Sequence, residues 1–75
     1  MHPLQAKFGA VLRRLREAAG LSQAALAARA NLHRNYVALL VRGQRMPRIL
    51  VVQQLAVALN TTMSGLLGQI EQEPD

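Results

Sequence analysis

Apolar residues recur at steps of three and four along most of the chain, which is the spacing of helices with one buried face. The first stripe runs from Leu4 to Ala19, starts beside Pro3 and stops at Gly20. Proline is favoured in the first turn of a helix and glycine just after its end. The pattern therefore predicts a first helix over about residues 4 to 19.

A short second helix and a tight turn follow. Ser22 stands where an N-cap belongs, ahead of an alanine-rich segment over residues 23 to 30. Asn31 interrupts this segment, and asparagine tolerates the left-handed backbone that a tight turn between helices requires. We expect Leu32 to be buried as an anchor directly after the turn.

Three further helices complete the pattern. The third is predicted from about residue 33 or 34 to 42, and a basic loop separates it from a fourth over 49 to 59. Thr62 caps a shorter fifth helix, and we expect the tail over residues 71 to 75 to be frayed. Because no alternating strand pattern is present, the sequence predicts an all-α fold of five helices, with a core over about residues 4 to 70.

Composition limits how such a fold is stabilised. The 75 residues include no cysteine and two histidines, so the chain lacks the side chains for a disulfide or a thiolate zinc site. We expect one domain over residues 1 to 75, with no metal and no cofactor. A chain of this size buries only about 60% of its unfolded surface, so a second subunit is the expected source of additional stability.

The net charge of +5 is unevenly distributed along the chain. All nine Lys and Arg residues precede position 49, where Glu17 is the one acidic residue. The other three acidic residues are Glu71, Glu73 and Asp75. Such a basic body attracts phosphate groups or an anionic membrane surface, and the pattern of residues must decide between them.

The uncharged stretch from Ile49 to Ile70 is long enough to be tested as a membrane span. Asn60 and Gly65 lie inside it and would interrupt the continuous helix that a span requires. The N-terminus lacks the apolar run of a secretory signal. We therefore expect a cytoplasmic protein with no membrane partner.

The block from Gln23 to Gln44 has the features of a helix-turn-helix. It combines a two-turn helix, a small residue at Ala27 where two helices cross closely, Asn31 at the turn, and a second short helix. One helix precedes this block and two follow it. The arrangement favours a DNA-reading domain whose second helix lies in the major groove.

These segments resemble the phage repressor and Cro-type (XRE-like) DNA-binding domains. The resemblance covers residues 4 to 67 and rests mainly on the runs Leu21 to Ala27, Arg42 to Pro47 and Leu55 to Leu59. It implies a five-helix fold like that of lambda repressor. The segment Asn31 to Tyr36 is similar to the small controller proteins of bacterial restriction-modification systems. A phage or plasmid repressor and an antitoxin-type protein-interaction module are the alternatives.

The resemblance implies two groups of DNA-contacting residues. The base-reading positions are Arg34, Asn35, Ala38 and Leu39. Arginine pairs with guanine and asparagine with adenine through two hydrogen bonds, whereas Ala38 and Leu39 offer apolar contact, such as with a thymine methyl group. The phosphate-contacting positions are Gln23, His33, Tyr36, Arg42, Gln44, Arg45 and Arg48.

Six of these residues also have an interpretation without DNA contact. Arg34 and Asn35 are then two solvated polar side chains. Leu39 is then a buried side chain, Tyr36 an aromatic residue at the edge of the core, and His33 an N-cap. Gln23 is then an ordinary exposed residue of a first helical turn. The sequence leaves both interpretations open for each residue.

One position departs from the family pattern. The family commonly has a buried ion pair between an Arg, matched here by Arg16, and a Glu, where this chain has Val41. An unpaired buried Arg is energetically costly. We therefore expect Arg16 to turn to solvent, to a backbone carbonyl or to DNA.

The fourth helix carries more apolar residues than one buried face needs, and a helix that is apolar on two faces is usually covered on both. We therefore expect a two-fold interface between two copies. Its predicted members are Leu50, Val51, Val57, Met63 and Leu67. The alternative is that an N-terminal arm or the first helix covers these residues. The expected protein is a homodimeric regulator of transcription that binds a pseudo-palindromic double-stranded DNA operator, controls its own expression and has no catalytic site. RNA polymerase is a further candidate partner. The sequence leaves open whether the bound protein activates or represses transcription.

Overall fold

A computed structural model of the chain describes residues 3–75 and contains, over that range, five α-helices and no strand. The helices are α1 (Leu4–Ala18), α2 (Gln23–Ala30), α3 (Arg34–Val41), α4 (Ile49–Ala58) and α5 (Met63–Gln72). The predicted all-α fold is confirmed. The predicted ends of α1 to α4 lie within one residue of the observed ends, because local capping residues determine them.

Capping residues account for the helix boundaries. The hydroxyl groups of Ser22 and Thr62 each accept a backbone N–H from three residues further along, at 3.0 Å. Asn31 and Asn60 have φ angles of 57° and 60°, in the left-handed region that ends α2 and α4. Each interruption seen in the sequence therefore corresponds to a real change of chain direction.

The core lies between all five helices. Phe8, on α1, is buried, and each of the other helices contributes at least two buried apolar side chains. The largest fully buried side chains are Leu12, Leu26, Leu40, Leu55, Leu66, Val11 and Val37. Burying one such side chain stabilises the fold by about 1.5 to 3 kcal/mol.

The helices α1 and α3 approach each other closely at Gly9. A Cβ atom at this position would lie 2.5 Å from the carbonyl oxygen of Val41 and 2.7 Å from that of Leu40. Real Cβ atoms do not come so close to backbone atoms. Glycine at this position is therefore what allows α1 to pack directly against the end of α3.

The C-terminal segment does not fray as predicted. After α5 ends, Arg14 Nη1 donates to Glu73 Oε1 at 2.7 Å. Lys7 Nζ lies 2.5 Å from Asp75 Oδ1. The prediction of a frayed tail is wrong because α1 presents cations that pair with the carboxylates of the tail.

One predicted interface residue lies in the core. Val51 is only 3% exposed and lies one helical turn before the fully buried Leu55, on the same face of α4. The placement of Val51 on an outer face is therefore wrong. Met63 is half-buried and packs against the core, whereas large apolar side chains do remain exposed among residues 3–75. These are Leu4, Met46, Ile49, Leu50, Val57 and Leu67.

Within residues 3–75, no single helix is both long and apolar enough to cross a membrane. The pair α4 and α5 would suffice together by length and composition, but the chain bends by 99° between them. Asn60, with its left-handed backbone, lies in this break.

Candidate nucleic-acid interface

The connection between α2 and α3 is a tight turn of three residues. Asn31 has φ 57° and ψ 45°, and the N–H of Leu32 donates to the carbonyl oxygen of Ala27 at 2.9 Å. Ala27 and Val37 are buried, so the two helices pack through a small residue and a branched one. The geometry confirms the predicted helix-turn-helix arrangement of α2 and α3.

His33 is the N-cap of α3. Its Nδ1 accepts the backbone N–H of Asn35 at 3.1 Å, so the structure shows the capping role that the sequence had offered as one alternative. An accepting Nδ1 carries no hydrogen, and the ring hydrogen of the neutral imidazole is then on Nε2. His33 thus remains a hydrogen-bond donor through its second nitrogen.

The four predicted base-reading residues share one face of α3. Arg34 and Asn35 lie in its first turn and are exposed. Ala38 and Leu39 follow four residues later, which places them on the same face, and both are half-buried. This face presents two polar side chains followed by two apolar ones. Such an order suits a groove contact that combines hydrogen bonds with an apolar surface.

A surface cleft of about 520 Å³ opens beside the start of α3. His33, the N-cap of α3, and Tyr36 of α3 line one side of it, and Arg45 and Arg48 line it from the following loop. The guanidinium carbon of Arg45 lies 5.9 Å from the centroid of the Tyr36 ring, within cation–π range. Two arginines and two neutral donors therefore converge where an anion could bind.

Tyr36 is half-buried and packs against the core, which places it at the core edge as the structural interpretation had it. Its ring nevertheless forms part of the cleft wall and lies within cation–π range of Arg45. The two interpretations of Tyr36 are thus compatible in this geometry. Its contact with phosphate stays a prediction.

The remaining predicted phosphate contacts do not line this cleft. Gln23 is half-buried in the first turn of α2, and Arg42 and Gln44 are exposed near the end of α3. Arg42 instead lines a separate cleft of about 410 Å³ together with Arg13 and Arg14 of α1. Sequence reasoning missed these two arginines. Their adjacent basic side chains on the polar face of α1 were the signal, but only the tertiary packing shows that they neighbour Arg42.

Arg16 is held by the backbone. Its Nη1 donates to the carbonyl oxygen of Leu21 at 2.6 Å, and its Nη2 lies 3.7 Å from Glu17 Oε2. The side chain is 13% exposed, and its Nε is buried without a hydrogen-bond partner in the part of the chain that the structure describes. Of the three predicted alternatives, the backbone carbonyl is confirmed. Val41 offers no acceptor in place of the family's Glu.

The ion pairs divide the cations of the chain into two groups. Within the described range of 3–75, every ion pair involves a cation of α1. The cations beyond α1 form none there, and they are Arg29, Arg34, Arg42, Arg45 and Arg48. The start of α3 and the loop after it therefore carry positive charge that the protein itself does not compensate.

The sequence profile of the helix-turn-helix family matches residues 12–66, which include all of α2, α3 and α4. The chain belongs to this family. The control protein C.MunI from a Mycoplasma species is 32% identical over 74 residues, which cover 97% of this chain and 100% of that protein. The family assignment thus rests on a full-length relative as well as on the profile.

Solved structures of the family have the same fold. The restriction-modification controller protein C.AhdI from Aeromonas hydrophila is 44% identical, with a TM-score of 0.80 over 83% of this chain and 94% of that one. The controller protein C.Esp1396I, solved as a tetramer in complex with its natural 35 base-pair operator, is 23% identical. Its TM-score is 0.87 over 97% of this chain and 96% of that one.

These similarities confirm the predicted family, with its likeness to restriction-modification controllers, and the predicted class of function. The chain is a helix-turn-helix regulator that binds DNA. The contacts of individual residues with bases or phosphates stay predictions.

Proposed function

We propose that the chain acts as a homodimer on a pseudo-palindromic operator, in the manner of a restriction-modification controller. The observation that carries this proposal is the first turn of α3, where Arg34 and Asn35 are exposed beside arginines that no carboxylate of residues 3–75 pairs with. The proposal includes action in the cytoplasm, control of its own expression and, for an activator, contact with RNA polymerase.

In the proposed complex, α3 lies in the major groove. Arg34 pairs with O6 and N7 of a guanine and Asn35 with N6 and N7 of an adenine, while Ala38 and Leu39 contact a thymine methyl group. Phosphates flank the groove and are bound by the residues around α3 and the start of α2. These residues are Gln23, His33, Tyr36, Arg42, Gln44, Arg45 and Arg48.

Selection of bound sequences from a pool of random duplex DNA tests the proposed operator. We expect one pseudo-palindrome to be enriched, with a guanine in each half-site and half-site centres about 10 base pairs, or roughly 34 Å, apart. The measurement is the sequence of the bound DNA after several rounds at moderate salt. A pool without enrichment would contradict operator binding and would favour the antitoxin-type protein-interaction module.

The exposed apolar residues support a second subunit. Three predicted interface residues, Leu50, Val57 and Leu67, are exposed large side chains on α4 and α5. Leu67 also lines an apolar groove of about 150 Å³ with Leu4 of α1 and Met46 of the loop after α3. Sequence periodicity had not connected these last two residues with the interface. Several exposed apolar side chains on a chain this small are typical of a covered surface.

Placing a charge in this surface is expected to separate the dimer. The double variant Leu50→Glu/Leu67→Glu would bury two unpaired carboxylates from each subunit at the interface, so it should sediment at the 8.2 kDa mass of one chain. The unmodified protein should sediment at twice that mass at a concentration on the order of tens of micromolar. Sedimentation velocity measures both.

Gln72→Glu is the matched control, because it adds a carboxylate to an exposed position of the same α5 that has no large apolar side chain. It should leave the protein dimeric. An unmodified chain that sediments as a monomer at tens of micromolar would refute the homodimer.

A further inference from the structure

Acidic side chains are concentrated on one side of the molecule. Among residues 3–75, Glu17, Glu73 and Asp75 form ion pairs, and each of them pairs with a cation of α1. Glu71, the fourth acidic residue, is exposed and forms none there. The carboxylates thus compensate α1 and leave α3 and its loop positive.

The tail is the part of the chain that brings two of these carboxylates to α1. Arg14 Nη1 donates to Glu73 Oε1 at 2.7 Å, and Arg14 Nη2 donates to Gln69 Oε1 at 3.5 Å. Lys7 and Asp75 form an ion pair and line an adjoining cleft of about 310 Å³. The tail therefore occupies the basic face of α1 over two successive turns.

This face continues into the DNA-binding side of the molecule. Ala6 and Ala10 line both the cleft that holds the tail and the cleft that Arg13, Arg14 and Arg42 share. Arg42 ends α3 and is one of the predicted phosphate contacts. A duplex that lies along Arg42 would therefore meet the cations of α1 next.

We propose that the C-terminal tail acts as an intramolecular substitute for DNA phosphate, which covers Lys7 and Arg14 and so limits non-specific binding of duplex DNA along α1. The inference rests on the proposed function, since it concerns the regulation of the same DNA-binding surface. A basic protein that exposed all its cations would bind any duplex through counterion release. The tail restricts that binding to the side of the molecule that reads sequence.

The contact has the properties of a cover that DNA can compete with. The Arg14 side chain is 52% exposed although it pairs with Glu73, so solvent weakens the attraction between them. A duplex brings many phosphates to the same place, whereas the tail brings two paired carboxylates. Removing one of these carboxylates should therefore free one cationic side chain of α1 to contact one DNA phosphate.

The test compares Glu73→Gln with Glu71→Gln on a duplex of random sequence. Both substitutions remove one negative charge from the same segment, but only Glu73 pairs with Arg14. For Glu73→Gln, the plot of log affinity against log salt should steepen by about 0.9 for each subunit on the duplex, the value for one additional phosphate contact. Between about 50 and 200 mM salt this amounts to a further loss of affinity of about 3.5-fold for each subunit. Glu71→Gln should keep the slope of the unmodified protein.

Arg14→Gln completes the cycle. Arg14→Gln should leave the slope of log affinity against log salt unchanged when the tail is intact, because Glu73 already pairs with that cation. The double variant Arg14→Gln/Glu73→Gln should have the slope of the unmodified protein. Thermal unfolding of each variant, followed by circular dichroism, confirms that the slopes are compared between folded proteins.

Equal slopes for Glu71→Gln and Glu73→Gln would overturn the proposal, because net charge would then account for the whole effect. A salt slope that stays steeper in the double variant than in the unmodified protein would also overturn the proposal. Failure of the proposed function would be detected in a separate experiment, the selection from random duplex DNA, in which the unmodified protein would then enrich no sequence.

Discussion

Replacing Arg34 by Ala is expected to lower operator affinity at least about 30-fold while changing the affinity for random duplex DNA much less. A bidentate contact with guanine contributes about 1 to 3 kcal/mol of discrimination, and a dimer makes two of them, one in each half-site. The sum is about 2 to 6 kcal/mol, and every 1.4 kcal/mol corresponds to a factor of ten. Fluorescence anisotropy with the selected operator and with a scrambled duplex measures the ratio of the two affinities.

Arg45→Ala is the matched control for this experiment. It also removes one exposed guanidinium, but from the cleft beside Tyr36 rather than from the base-reading face. Loss of a phosphate contact should weaken all duplexes similarly and reduce the salt slope by about one unit for each such contact. If Arg34→Ala also weakened both duplexes equally, Arg34 would be a phosphate contact and the assigned base-reading role would be incorrect.

The second large effect is expected from Gly9→Ala, which should destabilise the protein by about 1 to 3 kcal/mol. The added Cβ would lie 2.5 Å and 2.7 Å from two carbonyl oxygens of α3. Both obstacles are backbone atoms, so α1 and α3 must move apart to make room. For a domain of this size each kcal/mol lowers the unfolding midpoint by about 4 to 8 °C, which thermal denaturation followed by circular dichroism resolves.

Gly68→Ala provides the control. A Cβ atom there would meet no heavy atom within 4 Å, and Gly68 lies inside α5. Alanine forms helix more readily than glycine, so this variant should be more stable by about 0.5 to 1 kcal/mol. If the two variants had the same unfolding midpoint, the close approach of α1 to α3 would not limit the size of residue 9.

The sequence predicted most of the secondary structure because the helix ends depend on local chemistry. Ser22, Asn31 and Thr62 act through hydrogen bonds and backbone angles within a few residues of themselves. Which side of α4 is buried was harder to predict, since apolar residues occur on nearly all sides of that helix. Periodicity alone then fails to show that Val51 turns inward while Leu50 remains exposed.

In the candidate site, too, the sequence predicts local features but not the contacts that depend on how the helices pack. Arg34 and Asn35 were predicted as base-reading residues from the resemblance to the repressor family, which matches them to the first turn of α3. Arg13 and Arg14 were missed because their relation to Arg42 depends on how α1 packs against α3. The pairing of the tail with α1 is equally tertiary, because Arg14 and Glu73 are 59 positions apart.

The cap of α3 also has a mechanical consequence. The Nδ1 atom of His33 accepts the N–H of Asn35, so turning the imidazole ring would break this capping hydrogen bond. An acceptor bound at Nε2 is therefore coupled to the first turn of α3 through the ring. A phosphate held there would set the depth and the rotation of α3 in the groove together, and one ring would transmit the position of the DNA backbone to the side chains that face the bases.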